Sequence, residues 1–523
     1  MKVLNLPISN PLDSECFTTT LLRGLVENRA RGGFADRTLL VLLHHWSMAS
    51  IPIRVEEEHM NADNEHLEVT ALSQIIQEKL PNWLYSPILR YLPPEIISVI
   101  FTLTLPDASF FRYFLTKNDS RSKKGWTWTT TPFILGAVCK DWREITWTTP
   151  ALWSSIIVHL TKHTIKTRTS LVRDWLARSG QLPLSICISF GPMQRLSREV
   201  TEETISLAEI INQYSARWYH FDLSSPVHVA RYFRAEELHA PILESFRLDS
   251  GDPNIHFVTC PRVQKVHLVN GRYNSFPWNN VTHISVESMF LEDCLRILRN
   301  APLLVHAELK HVHWAKLPPS GRIITPLKSL KVGGMDHFSL FLHITCPALD
   351  ELILDWRTSF QFIEDFIVPF LAGSSQLRCL TILHHTRDSR FIDILRAVPS
   401  LTKLVLLSPL IPGVVAENIL NILGIILSSQ SNSSQPSFLP NLETFDYQGP
   451  FGYDPIYSLP PARNAAQSPL QFVKFDFYSL VHIPEDAIPL FLRLVERGVM
   501  VHVSSEEKDI LQSSIDYWSR RTQ

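Results

Sequence analysis

The chain has 523 residues, 45% of them apolar and 19% charged, with a formal net charge of −2. That length and balance suit two or three globular units with a large buried core and exclude wholesale disorder. The near-neutral charge gives no global electrostatic support to non-specific nucleic-acid binding.

Residues 1–64 read as an N-terminal lead of partial order, with a short helical piece at 21–30 and a solvated acidic run, Glu56–Glu57–Glu58. A helix is expected over 65–90, where Leu67, Leu72, Ile75, Ile76, Leu80 and Leu84 fall near helical spacing. It is too short for a dimerising coil, which needs three or four heptads. The next stretch, 91–160, carries LPPEIISVIF at 92–101 and TPFILGAVCKDWREITWTTPALWSSI at 131–156. Pro93 and Pro94 suit a first helical turn, and Glu95 suits the positive end of the helix dipole. Ile96, Ile97, Ile100 and Phe101 share one helical face. A second helix is expected from Pro132, with Leu135, Val138, Cys139, Trp142 and Ile145 on one stripe and Cys139 as a small core residue. A third is expected from Thr149 as N-cap, burying Leu152, Trp153 and Ile156. Three short helices bury a thin core and leave apolar surface for a partner.

Residues 167–180 predict a helix with Leu171, Trp175 and Leu176 inward and Gly180 ending it. Residues 182–191 predict a strand, and 199–216 a helix. From Trp218 the pattern apolar-x-x-apolar-x-apolar recurs, from Trp218/Phe221/Leu223 through Leu352 and Leu404 to Leu470/Val473/Phe475, at steps of 18 to 28 residues apart from one of 41. These steps lie in or near the ~20–29-residue period of leucine-rich repeats. Many units open on a proline just ahead of the strand, as in CPALDELIL and VPSLTKLVL, and helical pieces lie between (291–300, 362–373, 389–398 and 416–427). The long step holds SSQSNSSQPS at 428–437, a polar loop insertion.

The motifs L-P-P-E-I, V-C-x-x-W-R and T-P-x-L-W, in series, resemble the F-box of the form common in mushroom-type (basidiomycete) fungi. The departure is a polar, basic spacer at 107–130 between the first two helices. The array resembles the irregular leucine-rich domains that follow an F-box, in a degenerate version whose Asn or Cys column after the strand is erratic. The fold class expected is therefore α plus α/β: a small three-helix F-box at 91–160, then a strand–loop–helix solenoid over 161–523. The resemblance implies a substrate receptor of a Skp–cullin–F-box ubiquitin ligase. Its partners would be a Skp-type adaptor, through it a cullin, and an unknown protein target, with no nucleic acid or membrane. Leu92, Pro93, Ile96, Ile97, Ile100, Val138, Trp142 and Trp153 are expected to form the adaptor surface and its supporting core. The alternative is a leucine-rich interaction scaffold with no ligase role.

In a solenoid, numbering each motif from its first apolar residue, positions 4 and 6 are buried and positions 3, 5 and 7 face out along the concave side. The outward set runs from charged and His-rich to apolar. Arg247, Lys265, His267, Glu308, Lys331, Leu383 and Leu407 are its candidate target-binding residues. The alternative is that the apolar strands are covered by the C-terminal segment or the 428–437 loop.

No catalytic role is expected. G-x-S-x-G, a phosphate-binding Gly-rich loop and H-E-x-x-H are all missing. The pairs His44–His45, His311/His313 and His384–His385 have no carboxylates or cysteines at ligand spacing, so neither metal nor cofactor is expected. Seven cysteines without a C-x-x-C pair fit a reducing compartment rather than a disulfide framework. No apolar run approaches the ~18–20 residues of a membrane span, and no secretory signal is legible. The expectation is a soluble intracellular protein of cytoplasm, nucleus or both.

Overall fold

The structure is a computed structural model. It describes residues 92–105, 131–191, 197–233, 238–250, 257–271, 276–313, 321–334, 339–355, 363–383, 391–407, 439–449, 470–478, 480–505 and 508–521. The predicted helix at 65–90, the spacer at 107–130, the helix at 416–427 and the insertion at 428–437 lie outside the described residues. The chain combines helices with a large, mostly parallel sheet. It divides into two compact units: residues 1–158 with 170–185, and residues 159–169 with 186–523.

In the first unit, helix α1 (Pro94–Leu103) opens on the two prolines with Glu95 in its first turn. Ile97 and Phe101 are its buried residues, while Ile96 is exposed, so the expected stripe is split. The expected second helix is two: α2 (Thr131–Val138) and α3 (Lys140–Thr148). Cys139 breaks them in extended conformation (φ −157°, ψ 173°), and its Sγ accepts from Trp142 N at 3.4 Å as the N-cap of α3. Arg143 Nε donates to Gly136 O at 2.8 Å, taking up a carbonyl orphaned at the end of α2.

The expected third α-helix is a single 3₁₀ turn, Pro150–Trp153. Thr149 stands at its N-cap position without capping it; its hydroxyl donates back to Ile145 O at 2.6 Å. The chain then runs into strand β1 (Ser155–Leu160), where Ile156 is buried as a strand residue rather than a helical one. Helix α4 (Ile165–Arg178) buries Val172, Trp175 and Leu176 and leaves Leu171 exposed, one residue out of the expected phase. Gly180, at φ +59°, follows its end as expected. The core of the unit is aromatic. Phe133, Trp153 and Trp175 meet edge to face with centroids 5.0–5.6 Å apart, and Trp153 Nε1 donates to Thr146 O at 2.8 Å.

In the second unit, α5 (Arg198–Asn212), capped by Ser197, follows strand β2 (Leu184–Phe190). The strands after it are β3 (Trp218–Ser224), β4 (Ser245–Asp249), β5 (Lys265–Val269), β6 (His283–Glu287), β7 (His306–Lys310), β8 (Ser329–Gly333), β9 (Glu351–Asp355), β10 (Cys379–Leu383), β11 (Lys403–Leu407), β12 (Thr444–Gly449), β13 (Phe472–Phe477) and β14 (Met500–Ser505). From β3 to β14 each pairs in parallel with the next in chain order. The register aligns position 4 with position 4 throughout, from Phe221↔Phe246 to Phe445↔Val473. Positions 1, 4 and 6 of every motif read from the sequence are buried. A one-residue slip would turn these apolar sets to the other face, so burial itself holds the register. Each fully buried Leu contributes ~1.5–3 kcal/mol.

Helices α6 (Leu291–Asn300), α7 (Ile363–Ala372) and α8 (Phe391–Arg396) lie between strands where helical pieces are expected. Elsewhere two short parallel ladders take the linking place: Leu238–His239 with Phe257–Thr259, and Ile323–Ile324 with Ile344–Thr345. After helix α9 (Ile488–Glu496), β14 adds a strand beyond the last motif read from the sequence. The short β15 (Lys508–Asp509) pairs with it antiparallel, which ends the parallel run. Helix α10 (Leu511–Arg521) is tied down by Trp518 Nε1 donating to Ile483 O at 2.9 Å.

Candidate functional site

The chain offers two surfaces, one in each unit. In the first, Ile96 and Val99 on α1, Ile134 and Val138 on α2, and Trp147 on α3 are large apolar side chains left exposed, Val99 by 53% and Val138 by 51%. On α1, Ile97 and Phe101 fill the core while Ile96 and Val99 stand exposed beside the polar Glu95, Ser98 and Thr102. Trp147 is held by Arg178, whose guanidinium lies 4.7 Å from the Trp147 ring and 4.9 Å from that of Trp153.

The eight expected adaptor residues separate by burial. Pro93, Ile96 and Val138 are exposed; Leu92 and Ile100 are half-buried. Ile97, Trp142 and Trp153 belong to the core, Trp142 with its ring centroid 4.7 Å from that of Phe101. Val99, Ile134 and Trp147 were not among the expected residues. The spacing could have found Val99, which stands three residues after Ile96 on the same face.

The second surface is the face of the parallel sheet formed by positions 3, 5 and 7, half-exposed strand after strand. All seven expected target-binding residues lie on it: Lys265 at position 3, Arg247, His267, Glu308 and Lys331 at position 5, Leu383 and Leu407 at position 7. Position 5 reads, in ladder order, Asp222, Arg247, His267, Ser285, Glu308, Lys331, Ile353, Thr381, Val405, Asp446, Lys474 and His502.

Several of its charged groups stand in ion pairs. Arg247 Nε is 3.7 Å from Asp222 Oδ1, and Lys265 Nζ is 3.6 Å from Glu244 Oε1. Tyr219 OH also donates to Glu244. The His283 and His306 rings stack with centroids 4.4 Å apart. Lys310 Nζ and Lys331 Nζ each stand 2.9 Å from Glu308 Oε1, and Ser285 Oγ donates to its other oxygen. Burial pushes the Glu308 carboxyl up, but the hydrogen bonds and charges of Lys331 and Lys310 outweigh it and hold the group at about 2.

The expected gradient from polar to apolar is only half of the pattern. The aliphatic positions Ile353, Leu383, Val405 and Leu407 form an island on β9–β11, and Asp446, Lys474 and Asp476 restore polar character on β12 and β13. The polar strands lie beyond Leu407, the last of the expected outward positions, so the apolar stretch is an island rather than an end.

No match is found for this chain among models of known protein families or among curated proteins.

Among the described residues no group of three or more His, Cys, Asp or Glu could hold a metal ion. No described helix is long and apolar enough to cross a membrane. The described cysteines are free, and burial pushes the thiols of Cys187, Cys260, Cys294 and Cys346 up, Cys260 to about 12, which suits packing rather than nucleophilic attack.

Proposed function

We propose that the chain is a non-catalytic substrate receptor of a Skp–cullin–F-box ubiquitin ligase. The helical unit docks a Skp-type adaptor, and the sheet, read as an irregular leucine-rich solenoid, binds a protein target. The observation that carries this reading is the set of apolar side chains left exposed on the helical unit. Ile96, Val99, Ile134 and Val138 stay exposed within the very segments, LPPEIISVIF and TPFILGAV, whose sequence resembles an F-box. Exposed apolar side chains on well-packed short helices mark a surface awaiting a partner. The in-register run of parallel strands supports the solenoid reading, because one repeated motif gives one repeated ladder.

Such a receptor has no chemistry of its own. It raises the local concentration of target lysines at a ubiquitin-loaded enzyme supplied by partners, and rate follows from proximity. The test is co-purification of a Skp-type adaptor with the full chain. Wild type is expected to retain the adaptor; Ile96→Asp with Val138→Asp, or Leu92→Ala with Pro93→Ala, is expected to lose it. A wild-type chain that recovers no adaptor leaves the scaffold reading in its place.

A further inference from the structure

Trp147, on α3, is the one tryptophan among the large apolar side chains left exposed on the described residues, at 47%. It falls between the motifs V-C-x-x-W-R and T-P-x-L-W and belongs to neither. Two neighbours fix its ring. Gly136 of α2 lies buried beside the indole: a Cβ there would stand 3.5 Å from Trp147 Nε1. Arg178, the last residue of α4, sets its guanidinium 4.7 Å from the centroid of Trp147 and 4.9 Å from that of Trp153. Trp153 is fully buried, and its Nε1 donates to Thr146 O at 2.8 Å. The guanidinium therefore ties an exposed ring to an immobile one. It does so from beyond the F-box-like stretch 91–160. Gly136 stands two residues from Ile134 and two from Val138, ~3 Å along the helix axis in each case. The indole is thus seated on the same turn of α2 that exposes those two side chains.

We propose that Trp147 is an anchor of the adaptor surface, contacted together with Ile134 and Val138, and that Arg178 is the residue that positions it. The inference rests on the reading of the helical unit as an adaptor-docking module. It extends that module past the F-box-like stretch to the end of α4. A side chain already ordered in the free protein spares the complex the entropy cost of immobilising it. Trp is also among the residue types that most often dominate an interface, because its large rigid ring fills a pocket in the partner. Arg178 acts through its plane: a guanidinium lies flat against two rings at once, whereas a lysine ammonium in its place is a point charge that does not.

Calorimetric titration of a purified Skp-type adaptor into the full chain tests this, as a double-mutant cycle on Trp147 and Arg178. Trp147→Ala should weaken the adaptor at least tenfold. Arg178→Ala should weaken it about threefold on its own and leave it unchanged in the Trp147→Ala chain, because Arg178 works only through the indole. Arg178→Lys should weaken it nearly as much as Arg178→Ala, and it stands in for that variant if loss of the whole side chain prevents folding. Trp147 is half in water, so Trp147→Ala should keep a cooperative melting curve by circular dichroism. Equal adaptor affinity of wild type and folded Trp147→Ala overturns the inference. So does an Arg178→Ala effect of the same size with and without Trp147, which would make Arg178 a direct contact or a structural residue. Full rescue by Arg178→Lys overturns the positioning role as well. The two readings fail differently. Adaptor bound alike by wild type and Trp147→Ala, but lost from Ile96→Asp/Val138→Asp, sinks this inference alone. A folded wild-type chain that binds no adaptor sinks the ligase reading and this inference with it.

Discussion

Gly334 shows how a single residue meets the demands of the ladder. The residue after position 7 turns left-handed on successive strands: Asn270 (φ 54°), Ser288 (φ 58°), His311 (φ 48°) and Gly334 (φ 58°). For a non-glycine residue this costs ~1–2 kcal/mol. Here it is held by backbone bonds that extend the ladder, Asn270 N to Glu287 O at 2.8 Å and His311 N to Gly333 O at 2.9 Å. The conformation repeats but the residue type does not, so no column was legible in the sequence. A Cβ on Gly334 would also meet His311 Nδ1 at 2.5 Å. Gly334→Ala should therefore lower the thermal midpoint by circular dichroism, and His311→Ala in the same chain should restore only part, because the φ strain remains. Cys139 is a second case. As an N-cap it should be improved or matched by serine, while Cys139→Ala should cost ~1 kcal/mol in chemical denaturation. Equal stability of all three chains would contradict the capping role.

Glu308 carries the clearest pH signature. Its folded value of about 2 lies below the ordinary 4.5, so its stabilisation is fully present above pH ~4.5 and is lost as pH falls toward 2. Glu308→Gln should flatten the loss of stability across that window in urea melts, and high salt should narrow the difference because the lysine side chains are partly exposed. An identical acid profile for the two chains would contradict the triad.

At the scale of elements, periodicity was a sound guide to strands and a poorer one to short helices. A strand needs only alternation, and the repeated motif supplied it eleven times over; β14 escaped because Gly498 stands where the motif expects its first apolar residue. In the helical unit one side-chain bond moves a boundary. The Cys139 thiol divides a continuous apolar stripe, and the Thr149 hydroxyl, turned back to Ile145, leaves Pro150–Trp153 as one turn. Leu171 and Val172 are adjacent aliphatics, so phase alone could not say which is buried. The surfaces differ in what their loss should do. Trp153→Ala removes the centre of the aromatic core and should cost ~3–5 kcal/mol. Leu404→Asp should unfold neighbouring strands, as it places an unpaired charge at a fully buried position 4. Val138→Asp, at an exposed position, should leave the melting curve unchanged.

At the scale of the whole molecule, the sequence made the mixture of helices with a long parallel array legible, since local apolar periods decide it. Which apolar residues stay uncovered was not legible, because that depends on how the thin helical core closes. Ile96 and Ile97 are chemically identical, yet one faces out and the other in. That division is what turns the F-box resemblance into a surface with named residues. The most direct measurement is co-purification of a Skp-type adaptor with the wild-type chain and with Val138→Asp/Ile96→Asp, each shown to be folded by its melting curve. The account predicts adaptor bound to wild type and lost from the variant at unchanged stability. No adaptor on a folded wild-type chain, or equal adaptor on both, would contradict it.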